Sequence, residues 1–328
     1  MVNTVPYLIL SLDFELFWGV RDKRALRNYS VNLGGVYDVI PKLLQLFKQY
    51  HVHATWASVG FLFNESIESL KKNLPHSSLN YKTTKLNPYI AIDELKPNIN
   101  EQKFYLASSL IKMINDFEGQ EIASHTYSHY YCLEDGQTIR DFNNDLVLAK
   151  KVAQNLGINL KSIVFPRNQI NSQYLQVCVN HGFTSYRGTE LSKLYKARSE
   201  EELSIIHRLL KFIDSYINLS GHHTYSIDEV EKNGMINLRA SSFFRPYHKR
   251  LSFFERFKLN RIKNSMSYAA KNNHIYHLWW HPHNFGINQG KNLNNLKNIL
   301  EHFSFLRDKY GMESKNMNEV VKILWQRK

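Results

Sequence analysis

Asp13 and Glu15 close the apolar run of LILSLDFELFWG, residues 8–19. In a strand, residues i and i+2 share a face, so both carboxylates project the same way from its carboxyl end. Paired acids among Leu, Phe and Trp are costly unless a cation sits between them. His125 and His129 in SHTYSHYYC supply the partners such a cation needs. A spacing of four puts both imidazoles on one side of a helical turn, and two His with one carboxylate make a facial set that leaves positions open for water and substrate. Arg167 in FPRNQ follows another apolar run, where a guanidinium can hold a neighbouring carboxylate ionised and oriented. His281 and His283 in HLWWHPHNFG bracket the end of a further run, where an imidazole can protonate a leaving group. His277 and His281 are also four apart, but on a strand they do not converge. Phe17, Trp18, Trp279 and Trp280 can stack on sugar faces or pack as core.

The elements that must position these residues alternate along the chain. Apolar runs at 7–13, 52–58, 120–124, 161–166, 183–187 and 274–281 read as buried strands, and helical spacing fills 35–51, 61–72, 100–117, 139–157, 171–182, 253–272 and 292–310. A last amphipathic turn falls at 317–326. Helices 139–157 and 171–182 each stop on a glycine before a strand. Such β-α alternation predicts a parallel sheet with crossover helices, closed or nearly closed as a barrel, with chemistry at the carboxyl ends of the strands. Residues 74–100 read as a polar insertion, and the pattern loosens over about 188–250. No internal repeat or low-complexity linker divides the chain, so one domain over 1–328 is expected, with a C-terminal helical segment from about 290.

Lys and Arg number 42 against 29 Asp and Glu, a formal charge of +13. That balance points to anionic partners such as phosphates, acidic glycans or a membrane surface, although a solvated basic surface would give the same count. No basic tail or nucleic-acid motif is present, so nucleic acid is not expected as a partner. One stretch, RPYHKRLSFFERFK at 245–258, mixes bases with aromatics. Cys132 and Cys178 form no CxxC pair and read as ordinary thiols of a reducing compartment. The first apolar run ends at Asp13, too short for a signal sequence, and no stretch approaches a membrane span of about 20 apolar residues. The expectation is a cytoplasmic protein, with peripheral membrane association open; the oligomeric state is not legible.

SLDFE, GQEIASHTYSH, FPRNQ and LWWH, in this order and each at a strand exit, resemble the motifs of the polysaccharide deacetylase family, the NodB-homology domain of carbohydrate esterase family 4. The resemblance implies a distorted (β/α)7 barrel and metal-dependent hydrolysis of N- or O-acyl groups on sugars, with zinc the usual metal. It implies Asp13 as base, Glu15, His125 and His129 as metal ligands, Arg167 as tether of the base and His281 as general acid. Trp18, Trp280, His283 and Arg245 are the candidates for substrate contact. The usual pair of adjacent aspartates is here Asp13-Phe14-Glu15, so the two acids' roles are exchangeable at this level, as are those of His281 and His283. Without an export signal, the expected substrate is an N-acetylated sugar in a nucleotide-linked or lipid-linked glycan precursor, whose phosphates suit the net charge. The alternatives are a metal-free amidohydrolase of the same fold acting on a small amide or ureide, and a non-catalytic glycan-binding protein.

Overall fold

The computed structural model describes residues 5–75, 78–199, 202, 204–230 and 232–327. One sheet collects eleven strands: β1 (Tyr7–Phe14), β2 (Ala54–Ser58), β3 (Gln120–Ser124), β4 (Ser162–Ile163), β5 (Ser185–Tyr186), β6 (Tyr225–Ser226), β7 (Lys232–Asn233), β8 (Met235–Asn237), β9 (Ser242–Phe243), β10 (His274–Trp280) and β11 (Glu313–Ser314). The order β10-β1-β2-β3-β4-β5-β8 is parallel throughout. Past β8 the backbone changes partner. Leu238 and Ala240 donate to Tyr186 and Gly188 beside β5, whereas Ser241 and Phe244 donate to His277 and Trp279 of β10. The segment 235–244 therefore pairs with β5 by its first half and β10 by its second, which joins the two ends of the parallel series as the barrel reading expects.

All eight residues of β1 are buried, as a strand between two parallel neighbours must be. Its register sets Asp13 opposite Ala57 and Phe14 opposite Ser58, so the acids emerge at the carboxyl edge beside the end of β2. Helix Val36–Tyr50 covers this part of the sheet with Val36, Val39, Ile40, Leu43, Leu44 and Phe47, at helical spacing. Two glycines meet where this helix begins. A Cβ on Gly35 would lie 2.1 Å from the Gly286 carbonyl oxygen, and one on Gly286 would lie 1.9 Å from that of Asn32. Only hydrogen side chains let helix Leu26–Gly34 and its successor press against the loop that carries His281 and His283.

Several expected elements take another form. The stretch 100–117 is a short 3-10 turn followed by a helix only at Ser108–Asn115. Helix Leu26–Gly34 lies outside the stretches where helical spacing was expected. The insertion, of which residues 76 and 77 lie outside the described residues, is packed rather than a polar excursion. It contains helix Pro88–Glu94, buries Leu79, Tyr81, Leu86, Tyr89 and Ile92, and Tyr81 Oη accepts from the Tyr131 backbone N–H at 2.8 Å. Cys132 and Cys178 are buried free thiols. No described helix is long and apolar enough to cross a membrane.

Candidate metal centre and active site

The β1 exit delivers Glu15 into a three-residue cluster with His125 and His129, all buried. Glu15 Oε2 lies 3.4 Å from His125 Nε2 and 3.0 Å from His129 Nε2. Gly19 makes room for this, because a Cβ there would lie 1.9 Å from the Glu15 carboxyl carbon. His125 Nδ1 bonds the Val164 carbonyl at 2.9 Å, and His129 Nδ1 lies 3.2 Å from Tyr131 Oη. The first of these bonds takes the ring proton, so His125 Nε2 presents a lone pair to the cluster. That nitrogen is buried without a hydrogen-bond partner. A buried nitrogen acceptor facing a carboxylate and a second imidazole fits a divalent cation, and the N,N,O donor set suits zinc and its neighbours. Burial would raise the Glu15 carboxyl, yet His281, His125 and His129 overturn this and hold it well below the carboxylate range. Burial pushes His129 down to about 4, despite Glu15, which keeps it neutral as a ligand must be.

The two histidines do not sit on a helical turn, contrary to the spacing argument. They flank an irregular loop in which Thr126 and His129 take left-handed φ of 61° and 59°. The loop is pinned from below by Asp145 of helix Ile139–Gln154. Its carboxylate accepts from the backbone N–H of Tyr127 at 2.6 Å and of Ser128 at 3.0 Å, and from Ser128 Oγ. Burial pushes Asp145 up to about 6 against these three donors. Replacing Asp145 by alanine strands two buried N–H groups, an expected loss of about 3 kcal/mol in denaturant unfolding, with weaker metal retention because the loop is unpinned.

Asp13 is held by an arginine. Arg187 Nη1 and Nη2 donate to its two carboxylate oxygens at 2.7 and 2.8 Å. The guanidinium is fully buried, lies 4.2 Å over the Trp279 ring, and also donates to Ser11 Oγ and Asn168 Oδ1, each at 3.0 Å. Ser11 Oγ in turn meets His277 Nε2 at 2.8 Å, so His277 supports the arginine from within the sheet. Burial alone would raise the Asp13 carboxyl; the charge and hydrogen bonds of Arg187 reverse this and hold it below the usual range. The tether expected at Arg167 is therefore Arg187. Arg167 instead bonds Asp22 and lies 4.2 Å over the Tyr131 ring. Arg187 follows β5 directly, at a strand exit like every other site residue, and that position was the signal available in FTSYR.

His281 Nε2 stands 3.6 Å from Glu15 Oε1 and 3.9 Å from Asp13 Oδ2, with its side chain 21% exposed. His283 is buried behind it, with ring centroids 5.1 Å apart and Nε2 3.9 Å from Glu15. Burial, then His281, pushes His283 down to about 3, a neutral ring that backs the site and offers no surface to substrate. Trp18 and Trp280 are likewise core. Trp18 donates to the Tyr105 carbonyl at 2.7 Å, and Trp280 stacks on Phe285 at 5.8 Å. Aromatic character alone did not separate them from Trp279, which is half-buried at the rim. Trp279, Phe243, Arg245, Lys211, Arg198 and Arg167 line a cleft, and the Phe243 and Trp279 rings each lie 5.6 Å from that of His281.

A model of the polysaccharide deacetylase family matches residues 34–186. Over that span the chain is similar to the polysaccharide deacetylase family. The match includes the histidine pair and stops one residue before Arg187, so Asp13, Glu15, Arg187 and His281 of the candidate site lie on either side of it. Among solved structures, a protein from Mycobacterium smegmatis assigned as a polysaccharide deacetylase is 12% identical, with 100% of this chain and 93% of that one covered and a TM-score of 0.62. PuuE allantoinase is 10% identical over 96% of this chain and 88% of that one, TM-score 0.53. A GH57-type branching enzyme from Pyrococcus horikoshii is 12% identical over 97% and 70%, TM-score 0.52. At these identities the likeness is one of fold. No curated protein sequence matches the chain.

Proposed function

We propose that this chain is a metal-dependent deacylase that removes an N-acetyl group from an amino sugar in a phosphate-bearing glycan precursor, nucleotide-linked or lipid-linked. The observation that carries the reading is the unpartnered His125 Nε2, which faces Glu15 and His129 within reach of the Asp13–Arg187 pair. Glu15, His125 and His129 would hold the ion, which when bound supplies Lewis acidity to polarise the acyl carbonyl and acidify water. Asp13, fixed by Arg187, accepts the proton of the attacking water as its oxygen bonds the carbonyl carbon. His281, partly exposed at the rim, gives a proton to the sugar nitrogen as the C–N bond breaks, because an amide nitrogen leaves poorly without one. Acetate and a free amino sugar result.

The cleft favours an anionic substrate. Lys196, Arg198, Lys211 and Arg245 line it, with Arg167 paired to Asp22; among the described lining residues the acids are Glu190 and Asp214, and Asp214 is committed to Tyr195 Oη and the backbone of Leu219 and Ser220. Cations converging on one cleft concentrate a phosphorylated sugar there. The test is acetate release from an N-acetylated sugar diphosphate and from neutral chito-oligosaccharide, before and after chelation. Release from the diphosphate should vanish with the chelator, return with zinc, and exceed release from the neutral sugar by about tenfold or more in kcat/KM. Equal release from both substrates, or release indifferent to chelation, overturns the reading.

A further inference from the structure

Helix Ile205–Asp214 turns its apolar side to solvent. Ile205, Ile206, Leu209 and Leu210 are 85, 68, 54 and 40% exposed, while the one buried residue of the helix is Asp214. The apolar surface continues across to Phe253, Phe254 and Phe257, which are 82, 47 and 50% exposed. Ring contacts of Tyr216 with Phe212 at 5.2 Å and with Phe254 at 6.3 Å join the two parts. Scattered exposed apolar residues are ordinary, but four on one helix and three on a segment joined to it through Tyr216 are not.

The surroundings of this face are cationic. Arg208, His248, Lys249, Arg250 and Arg256 are exposed along it. Of the described acids at its border, Glu202 is exposed just ahead of the helix and accepts from the Ser199 backbone N–H at 3.0 Å, Asp214 is engaged by Tyr195 Oη at 2.8 Å and Arg261 at 3.8 Å, and Glu255 by Lys258 at 2.8 Å, so five exposed basic residues face one exposed acid. A second copy of the chain laid on this face would bring two such cationic rims together, in a molecule already at +13. An apolar face with a basic border fits the boundary of an anionic bilayer, where the side chains enter the acyl margin and the cations meet headgroups. The helix also borders the cleft, which Lys211 and Asp214 line together with Arg245 and Trp279.

We propose that this face docks the protein on an anionic lipid surface, with Ile205, Ile206, Leu209 and Phe253 inserted at the headgroup boundary and the cleft opening beside the membrane. The docking stands on exposure and charge; its corollary, that the cleft receives a lipid-linked rather than a nucleotide-linked sugar, rests on the function proposed above. The experiment is flotation of the whole protein with vesicles of phosphatidylcholine and with an equimolar mixture of phosphatidylcholine and phosphatidylglycerol. The expected result is binding to the mixed vesicles at least about tenfold tighter than to neutral ones, weakened by salt. The triple variant Ile206→Glu, Leu209→Glu, Phe253→Ser should lose that binding by about tenfold while keeping its thermal midpoint and bound metal. Failure of the wild type to float overturns the proposal, as does a dimer by light scattering that the triple variant converts to monomer. Flotation needs no turnover, so a protein that floats without releasing acetate refutes the proposed activity and leaves the docking face standing.

Discussion

Replacing His125 by alanine is expected to empty the metal site and reduce acetate release by about a thousandfold or more. His125 offers a buried Nε2 with no partner, aimed at Glu15 Oε2 from 3.4 Å, while its Nδ1 is committed to Val164 O. Loss of an outer-shell partner alone typically weakens a metal site by about 10- to 100-fold, and loss of a ligand should exceed that. The rate falls with occupancy, since the polarising charge at the carbonyl is worth at least as much as an oxyanion donor, about 10²- to 10³-fold. Stability behaves differently. The variant gives up one hydrogen bond, to Val164 O, and keeps the loop pinned by Asp145, so the metal-free protein should lose only about 1 kcal/mol. Metal content by elemental analysis, unfolding of the stripped protein and acetate release separate these effects. A His125→Ala protein that keeps both metal and activity sinks the proposed mechanism.

The parts of this site that follow periodicity were legible, and the parts that depend on loop geometry were not. β1 is a continuous apolar run, so its exit and the two acids at that exit could be located from residue types alone. The same holds for the histidine pair after β3. Their convergence, however, comes from left-handed backbone at Thr126 and His129 and from an acid eighteen residues downstream of Tyr127, none of which spacing encodes. The parallel order of strands was readable because alternation with helices imposes it. The partner change between β8 and β9 was not, because strands of two or three residues carry too little pattern to be seen. Trp18 and Trp280 show the complementary failure, since an indole beside a catalytic motif looks alike whether it faces substrate or core. The exposed helix Ile205–Asp214 was missed for a related reason: its apolar spacing lay in a stretch whose pattern had loosened, and periodicity does not say which face meets solvent.

The choice between two arginines yields the second large effect. Arg187→Met should lower acetate release by about 10²- to 10³-fold, whereas Arg167→Met should leave the chemical step within about threefold. Arg187 supplies both hydrogen bonds that orient Asp13 and the charge that outweighs its burial, at 2.7 and 2.8 Å. Arg167 is spent on Asp22 and the Tyr131 ring. With the guanidinium gone, burial acts unopposed on Asp13, so its carboxyl rises instead of lying below the ordinary value of about 3.9. The sign for activity follows. In the wild type the base stays ionised to below that value, so the acid limb of kcat/KM lies low; in Arg187→Met the limb moves to higher pH, and activity recovers in part as pH rises. The sign for stability is parallel, because a depressed carboxyl stabilises the folded state above its unfolded pKa and loses that contribution as pH falls through the folded one. Removing the arginine also leaves a buried acid without its counter-ion, a cost of about 3 to 5 kcal/mol that Asp13→Asn in the same protein should largely relieve without restoring rate. pH profiles of kcat/KM for the wild type and both arginine variants, with unfolding of the Asp13→Asn/Arg187→Met double variant, decide the matter. An acid limb that shifts in Arg167→Met and not in Arg187→Met would reassign the tether.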